Sequence, residues 1–387
     1  MSKIDDMIKK LCPKGVEYKT ISEVAEVNRG VRLVRSQLAE SGDYPVYQNC
    51  LTPMGYYENS NCKGNTTYVI AAGAAGEIGY SYTAFWAADD CYYFKCSDSL
   101  SSRFLYHMLL WKQPAIKAKV RRASIPRLAR NHVEQLLIPV PPLPIQEEIV
   151  RILDSFTKLE AELEAELEAR RQQYEFYRDK LLSFNELHIG QPGGVRLMAL
   201  GEIGTVCMCK RILKSETSPQ GEVPFYKIGT FGKSPDAYIS RSKYEEYKRL
   251  YSFPKKGEVL ISAAGTIGRA VIYDGSPAYY QDSNIVWIAN DESVVLNKYL
   301  YYCYALKPWN VSNGGTIARL YNNDLARARI KVPSIAEQKR IVSILDKFDA
   351  LVNDLTSGLP AELAARRQQY EYYRDRLLSF TPISQGA

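Results

Sequence analysis

No apolar run in this chain approaches the roughly 18 residues that a membrane-crossing helix needs. The opening MSKIDDMIKK also lacks the apolar centre of a secretory signal. A cytoplasmic protein with no membrane partner is therefore expected. Eight cysteines stand at 12, 50, 62, 91, 96, 207, 209 and 303, with no C-x-x-C pair among them. The three histidines, His107, His132 and His188, lie far apart in sequence. Metal sites need ligands at short spacings, so no metal is expected and the thiols read as free in a reducing compartment. The glycine-rich stretches AAGAAGEIG (71–79) and SAAGTIG (262–268) are not followed by Lys-Ser or Lys-Thr. The spacing of Gly73, Gly76 and Gly79 does not fit a dinucleotide fingerprint either, and both stretches read as tight turns. An Asn/Asp-Pro-Pro-Tyr-type loop for gripping a flipped base is missing, and so few histidines offer little general-base chemistry. The chain is expected to bind no cofactor and to catalyse nothing.

What is present is basic charge in blocks. Residues 1–141 carry 18 basic against 13 acidic side chains, and residues 142–184 carry 6 against 10. Residues 185–333 carry 19 against 13, and residues 334–387 carry 7 of each. Two basic blocks alternate with two neutral or acidic ones, a pattern suited to a polyanion such as DNA.

The same alternation appears as an internal repeat. ARRQQYEFYRDKLLSF (169–184) returns as ARRQQYEYYRDRLLSF (365–380), and IVRILDSF (149–156) returns as IVSILDKF (341–348). Weaker matches join Pro45-Val46-Tyr47 to Pro224-Phe225-Tyr226 and Gly76-Glu77-Ile78-Gly79 to Gly265-Thr266-Ile267-Gly268. A last one joins Ile125-Pro126-Arg127-Leu128 to Ile317-Ala318-Arg319-Leu320. A period near 190 residues exceeds the 20–50 of a solenoid and marks a duplicated domain-plus-helix unit.

The near-identical blocks have helical periodicity. The first seam runs Ile145, Ile149, Ile152, Phe156, Leu159, Leu163, Leu167, Arg170, Tyr174, Tyr177, Leu181. The second runs Ile341, Ile344, Phe348, Leu351, Leu355, Leu359, Leu363, Arg366, Tyr370, Tyr373, Leu377. Steps of 3 and 4 are those of a coiled coil, and the second seam has one extra four-residue step, a stutter. Prolines at 139–144 and 333 predict that the helices begin just after them. Gly358 and Pro360 predict a kink or break in the second helix, and Asn185 closes the first. The variable blocks 13–141 and 192–333 read as mixed α/β, with strands such as Thr67–Ile70, Cys91–Phe94, Val259–Ile261 and Asn284–Ile288. Short helices are expected at 101–112 and 297–306.

Two constellations bear on function. Asp236, Glu246 and Lys248 superficially fit a metal-dependent nuclease core, which needs two acids converging on Mg²⁺ and a nearby lysine. The segment YEEYKRLY around them reads instead as a solvated helix. The candidate DNA contacts in the first block are Arg29, Arg32, Arg35, Arg121, Arg122, Arg127 and Arg130. In the second block they are Lys210, Arg211, Lys214, Arg241, Lys243, Lys248, Arg249, Lys255, Lys256 and Arg319. Arginine can fork onto guanine, whereas lysine mostly holds phosphate.

These features resemble the specificity subunit of type I restriction–modification systems. The likeness is carried by Pro142–Phe184 and Pro333–Phe380, with Gln146, Gln338, the two ILDxF runs and the RRQQYExYRDxLLSF endings, and by the Y-P-V-Y and G-x-I-G elements. It covers essentially the whole chain. It implies that each recognition domain reads one half of a split double-stranded DNA target. It also implies that the helices set the gap and dock two methyltransferase subunits. Those partners carry S-adenosylmethionine and methylate adenine, and two restriction subunits, translocase and nuclease, can join. The LEAE repeat at 159–169 looks like the family's spacer repeats. The resemblance assigns the helix seam, namely Ile149, Ile152, Phe156, Leu159, Leu163, Tyr174, Tyr177, Leu181, Ile341, Ile344, Phe348, Tyr370, Tyr373 and Leu377, to methyltransferase docking.

The expected architecture is α/β (α+β). Recognition domains at 1–141 and 185–333 are joined by two long antiparallel coiled-coil helices within 142–184 and 334–387, as a pseudo-two-fold internal repeat. The alternatives are a stand-alone nuclease and a coiled-coil scaffold. Deleting Glu162–Ala165 removes about 6 Å of helix. It should shorten the unread gap in the methylated target and leave the bases read unchanged, and methylome sequencing that finds the gap unaltered would rule out the ruler role.

Overall fold

A computed structural model describes residues 2–184, 194–311 and 319–383. The chain divides into two compact units, Met1–Ala165 with Glu362–Ala387, and Glu166–Ala361. These units cut through the near-identical blocks, so each combines one variable block with helix from both repeats.

In unit 1 the four-stranded antiparallel sheet has the order Ala25–Arg29, Cys91–Cys96, Thr66–Ile70, Ile78–Ser81. A three-stranded sheet orders Tyr56–Tyr57, Tyr44–Tyr47 and Trp86–Ala87, the last pair being parallel. Unit 2 repeats this topology. Thr205–Cys207, Ile285–Ala289, Val259–Ser262 and Ala270–Ile272 form its four-stranded sheet, and Tyr238–Ile239, Val223–Tyr226 and Tyr279–Tyr280 its three-stranded one. In each unit a strand leading into the domain pairs with the strand before the long helix, Tyr18–Thr20 with Leu137–Pro139 and Arg196–Ala199 with Arg329–Val332. The central strands are buried on both faces, so each unit has an apolar cluster on either side of its four-stranded sheet. Val27, Val69 and Phe94 meet Phe104, Leu105 and Met108 of the helix Ser102–Ala118 in unit 1. Val259, Ile261 and Val286 meet Tyr299, Leu300 and Tyr302 of the helix Asn297–Ala305 in unit 2.

The structure corrects three expectations. The long helix starts at Leu143, so Pro144 sits inside its first turn, and Leu359–Leu378 likewise opens with Pro360. A proline's missing N–H costs nothing there, because first-turn N–H groups have no intrahelical acceptor. The helix Ser102–Ala118 runs through Pro114, past the expected end at 112. The two glycine turns also align three residues away from the sequence match. Ile70 pairs with Cys91 and Ser262 with Ile285, which makes Gly73 and Gly76 the counterparts of Gly265 and Gly268. All four have positive φ, whereas Gly79 lies in a strand and does not. The helix end at Asn185 and the pair Ile317-Ala318 lie outside the described residues.

The break in the second spacer is present: Ile335–Asn353 ends and Leu359–Leu378 begins after a short turn. The second spacer is thus two helices, while the first is a single helix, Leu143–Ser183, about 60 Å long. In unit 1, Arg367 pairs with Glu160 and Glu164 while Tyr373 stacks on Phe156, with ring centroids 5.5 Å apart. Numbers rise on one helix as they fall on the other, so the pair is antiparallel. In unit 2 the equivalent residues exchange roles, and Tyr177 stacks on Phe348 at 5.8 Å.

The most buried line along these helices is not the coiled-coil seam alone. Leu153, Leu182, Leu345 and Leu378 are buried, while Leu159 of the seam is 46% exposed and Leu355, which the seam put on the helix, lies in the break and is 79% exposed. A stripe facing both a partner helix and a globular core must be wider than a two-helix seam.

Two polar residues fasten each long helix to its domain. Gln146, fully buried, donates from Nε2 to the carbonyls of Ser99 and Pro141 and accepts from Ser101 N–H. Gln338, also fully buried, donates to Val294 and Pro333 carbonyls and accepts from Leu296 N–H. Eight residues on, Asp154 receives Arg103 and His107 Nε2, and Asp346 receives Lys298 and the Tyr302 hydroxyl. Burial pushes the Asp154 carboxyl up, but the His107 and Arg103 hydrogen bonds outweigh it and hold it below its ordinary value. The stabilisation from this contact is therefore present at neutral pH and is lost as pH falls through that lowered value. Replacing Gln146 with alanine strands three backbone groups, and buried ones cost about 1–3 kcal/mol each. Gln146→Ala should lower thermal stability clearly, by about 3 kcal/mol, while exposed Gln172→Ala should stay within about 0.5 kcal/mol. Differential scanning calorimetry on both variants checks this.

Candidate nucleic-acid interface

Strand register gathers the basic residues. In unit 1, Arg29 pairs with Tyr92 and Ile70 with Cys91, so the segments after residues 29 and 70 and before residue 91 emerge at one edge. The strand Tyr44–Tyr47 ends there too, since Ala88 N–H donates to the Tyr47 carbonyl. A small hairpin closed by Arg121 and Arg127 joins this rim through Gly73 N–H to Pro126 O and Leu128 N–H to Ala71 O. Gly73 also lets the segment after Tyr47 come close: its φ is +82°, and a Cβ there would lie 2.8 Å from the Asn49 carbonyl oxygen. The rim in unit 1 thus carries Arg29, Arg32, Arg121, Arg122 and Arg127, all exposed. Arg35 follows on a turn whose Gln37 side chain accepts Val34 N–H.

Unit 2 has the same rim. Cys207 pairs with Trp287 and Ser262 with Ile285, and Gln281 N–H donates to Tyr226 O. Leu320 N–H donates to Ala263 O, as Leu128 does to Ala71. Lys210 and Arg211 leave the strand here, and Lys214 opens a turn in which Glu216 accepts Leu213 N–H, matching Gln37. Arg319 donates to the Ser283 carbonyl. A helix at Arg241–Leu250 has no counterpart at the matching place in unit 1 and carries Arg241, Lys243, Lys248 and Arg249.

The candidates differ in what already holds them. Arg130 is bound to Glu134, Arg241 to Glu245 and Lys243 to Glu216. Lys248 turns back onto the Tyr244 hydroxyl and the Phe253 ring. By contrast, Arg32, Arg35, Arg121, Arg122, Arg127, Lys214 and Arg249 have no acidic partner among the described residues. Lys210 lies over the Tyr251 ring, 5.1 Å from its centroid. A cation without a carboxylate keeps its full charge for a phosphate. The nuclease trio does not converge, since Asp236 is tied to Lys227 at 2.8 Å and Lys248 faces its own helix.

The spacer helices present a second repeated surface. Of the seam residues, Ile149, Ile341, Tyr174 and Leu377 lie inside their own unit's core, which removes them from any docking face. Outside the seam, Phe176 and Tyr372 are 61% and 59% exposed, at equivalent positions of the two RRQQYE blocks. Tyr372 borders a shallow groove of about 600 Å³ with Glu362, Arg366, Gln368 and Gln369. The other copy has Glu166, Arg170, Gln172 and Gln173 beside Phe176. Helical periodicity alone could not single these aromatics out, because they fall between seam positions. Asp282 and Asp89, each two residues past a parallel strand on the rim, were also missed, and their common place in the two repeats was the available signal.

Known proteins share both the sequence and the fold. The family model described as type I restriction modification DNA specificity domain matches residues 13–169 and 192–365. A Haemophilus influenzae protein bearing the name of a type I restriction enzyme specificity subunit is 45% identical over 381 residues, covering 95% of this chain and 96% of that one. The EcoR124I/EcoR124II specificity subunit of Escherichia coli is 35% identical over 65% of each chain. In fold, the chain is similar to the S subunit of a type I restriction–modification system from M. genitalium, with TM-score 0.62, 18% identity and coverage of 94% and 96%.

If the uncommitted arginines meet phosphates, replacing Arg121, Arg122 and Arg127 together by alanine should flatten the dependence of log affinity on log salt by about 0.9 for each phosphate no longer neutralised. Arg130→Ala, which removes a cation already paired, should leave that slope unchanged. DNA-binding titrations across a salt series on the two variants provide the comparison.

Proposed function

This chain belongs to the family of the type I restriction modification DNA specificity domain, and we propose that it reads a two-part DNA target with its two basic rims and docks its catalytic partners on its repeated spacer surface. It is the specificity subunit of a type I restriction–modification system, not a nuclease. Catalysis in such a system falls to other subunits. We assign adenine methylation with S-adenosylmethionine to two methyltransferase partners, and DNA translocation and cleavage to restriction partners, in the cytoplasm.

One observation carries this reading: the two halves of the chain differ where they would meet different bases and agree where they would meet the same partner. The rims share topology but not side chains, with a hairpin of three arginines in one unit and an additional helix in the other. The last sixteen residues of the two helical blocks, 169–184 and 365–380, differ at only two positions, and one of these keeps an aromatic, Phe176 or Tyr372, that buries little of itself in the chain. An exposed large aromatic beside arginine and glutamine has the composition of an interface anchor. Two equal faces accept two copies of one partner, which supports two methyltransferase subunits per chain.

Exchanging residues 13–141 for the corresponding block of a relative should change one half of the methylated target and preserve the other, as read by methylome sequencing. Both halves changing together would refute modular recognition. Phe176→Ala combined with Tyr372→Ala should weaken methyltransferase assembly by at least about 30-fold per site, the scale of an aromatic anchor. Purified chain should keep its melting temperature, and undiminished assembly in analytical ultracentrifugation would assign docking elsewhere.

A further inference from the structure

On each rim, one exposed arginine is held by a single nitrogen. In unit 2, Arg211 Nε donates to Asp282 Oδ2 at 2.9 Å, with the Asp282 side chain 15% exposed and that of Arg211 68% exposed. The Ser283 hydroxyl also donates to Asp282 Oδ2, at 3.3 Å. In unit 1, Arg29 Nε donates to the Asp89 backbone carbonyl at 2.7 Å. Asp89 and Asp282 occupy the same place, each two residues beyond the strand that runs parallel to its neighbour, Trp86–Ala87 or Tyr279–Tyr280. Neither arginine makes a hydrogen bond from its outer nitrogens among the described residues. Guanidinium carries five donors in a planar fork, so fixing Nε orients the plane and leaves the outer pair free.

The partner's chemistry separates two uses of such a fork. A phosphate brought to Arg211 would also approach the Asp282 carboxylate, and like charges repel. Guanine O6 and N7 are neutral acceptors spaced for two parallel N–H donors and incur no such penalty. The uncommitted Arg121, Arg122 and Arg127 lack a carboxylate partner and suit phosphate instead.

We propose that Arg211 reads a guanine in the half-site of the second recognition domain, with Asp282 as its positioning residue. The inference rests on the DNA-specificity function given above and assigns base contacts within it.

The test uses the specificity subunit assembled with its methyltransferase, on duplexes of the methylome-defined target in which each guanine is replaced singly by 7-deazaguanine, which lacks the N7 acceptor. The wild-type complex should lose affinity at one guanine of the second half-site. Arg211→Ala should bind the unmodified target about 10- to 100-fold more weakly and no longer sense that substitution. Arg211→Lys keeps the charge and should lose the same sensitivity. Asp282→Asn should blunt discrimination at that guanine alone while the salt slope stays as in wild type. Equal weakening of target and random duplex by Arg211→Ala, or intact 7-deazaguanine sensitivity in that variant, would overturn the inference and leave the specificity function standing. A wild-type complex that fails to distinguish its target from random DNA would overturn that function, and this inference with it.

Discussion

Two buried glutamine side chains fix how each long helix leaves its domain. Gln146 and Gln338 each satisfy three backbone groups where a long helix leaves its domain. A buried amide of this kind contributes net stability of only about 1 kcal/mol per hydrogen bond, yet leaving its partners unmet costs more. The clamp therefore favours one geometry strongly over its neighbours. Asp154 and Asp346, eight residues later, lie about two turns up the same helix and add a second fixed point. Two points on one rigid rod leave the domain little freedom to swing.

Around these clamps the duplicated chain shares out its own parts. Phe156 meets Tyr373 and Phe348 meets Tyr177, so the motif of one repeat completes the packing of the other. The chain end after the RRQQYE block docks in the same way. Val16 pairs with Pro382 and Tyr18 donates to the Phe380 carbonyl, while in unit 2 Lys331 donates to the Ser183 and Phe184 carbonyls. Such exchange constrains the buried helical residues to agree between repeats. It places no such demand on the exposed positions 176 and 372, where one repeat has Phe and the other Tyr, so that an aromatic ring is kept although the residue differs.

The rims follow a different logic. Their backbones coincide because turns with positive φ at Gly73, Gly76, Gly265 and Gly268 hold the same loops. Their side chains are free to vary because loops at sheet edges carry function without carrying the core. Charge is sorted by its surroundings: arginines without carboxylates keep their pull on phosphate, and an arginine fixed by Asp282 keeps its shape but not its net charge. Affinity and specificity can then be tuned on separate residues.

The duplication, the α/β blocks, the long helices and the break near Gly358 were legible from the sequence, because near-identical blocks, period-3.5 seams and proline are local signals. The basic candidates were legible only as a list. Tertiary structure decided which of them share a rim, since that depends on strand register joining residues such as Arg29, Gly73 and Arg127 that are distant in sequence. It decided that Gly73, not Gly79, matches Gly265, because a turn is aligned by its pairing partners and its φ angles. It also decided that Leu153 and Leu345 are core, because burial on a helix depends on every surface packed against it and periodicity describes only one, and that Leu355 is open, because it falls in the turn between two helices. Asp282 gained its meaning from Arg211, 71 positions away, a proximity only the folded chain creates.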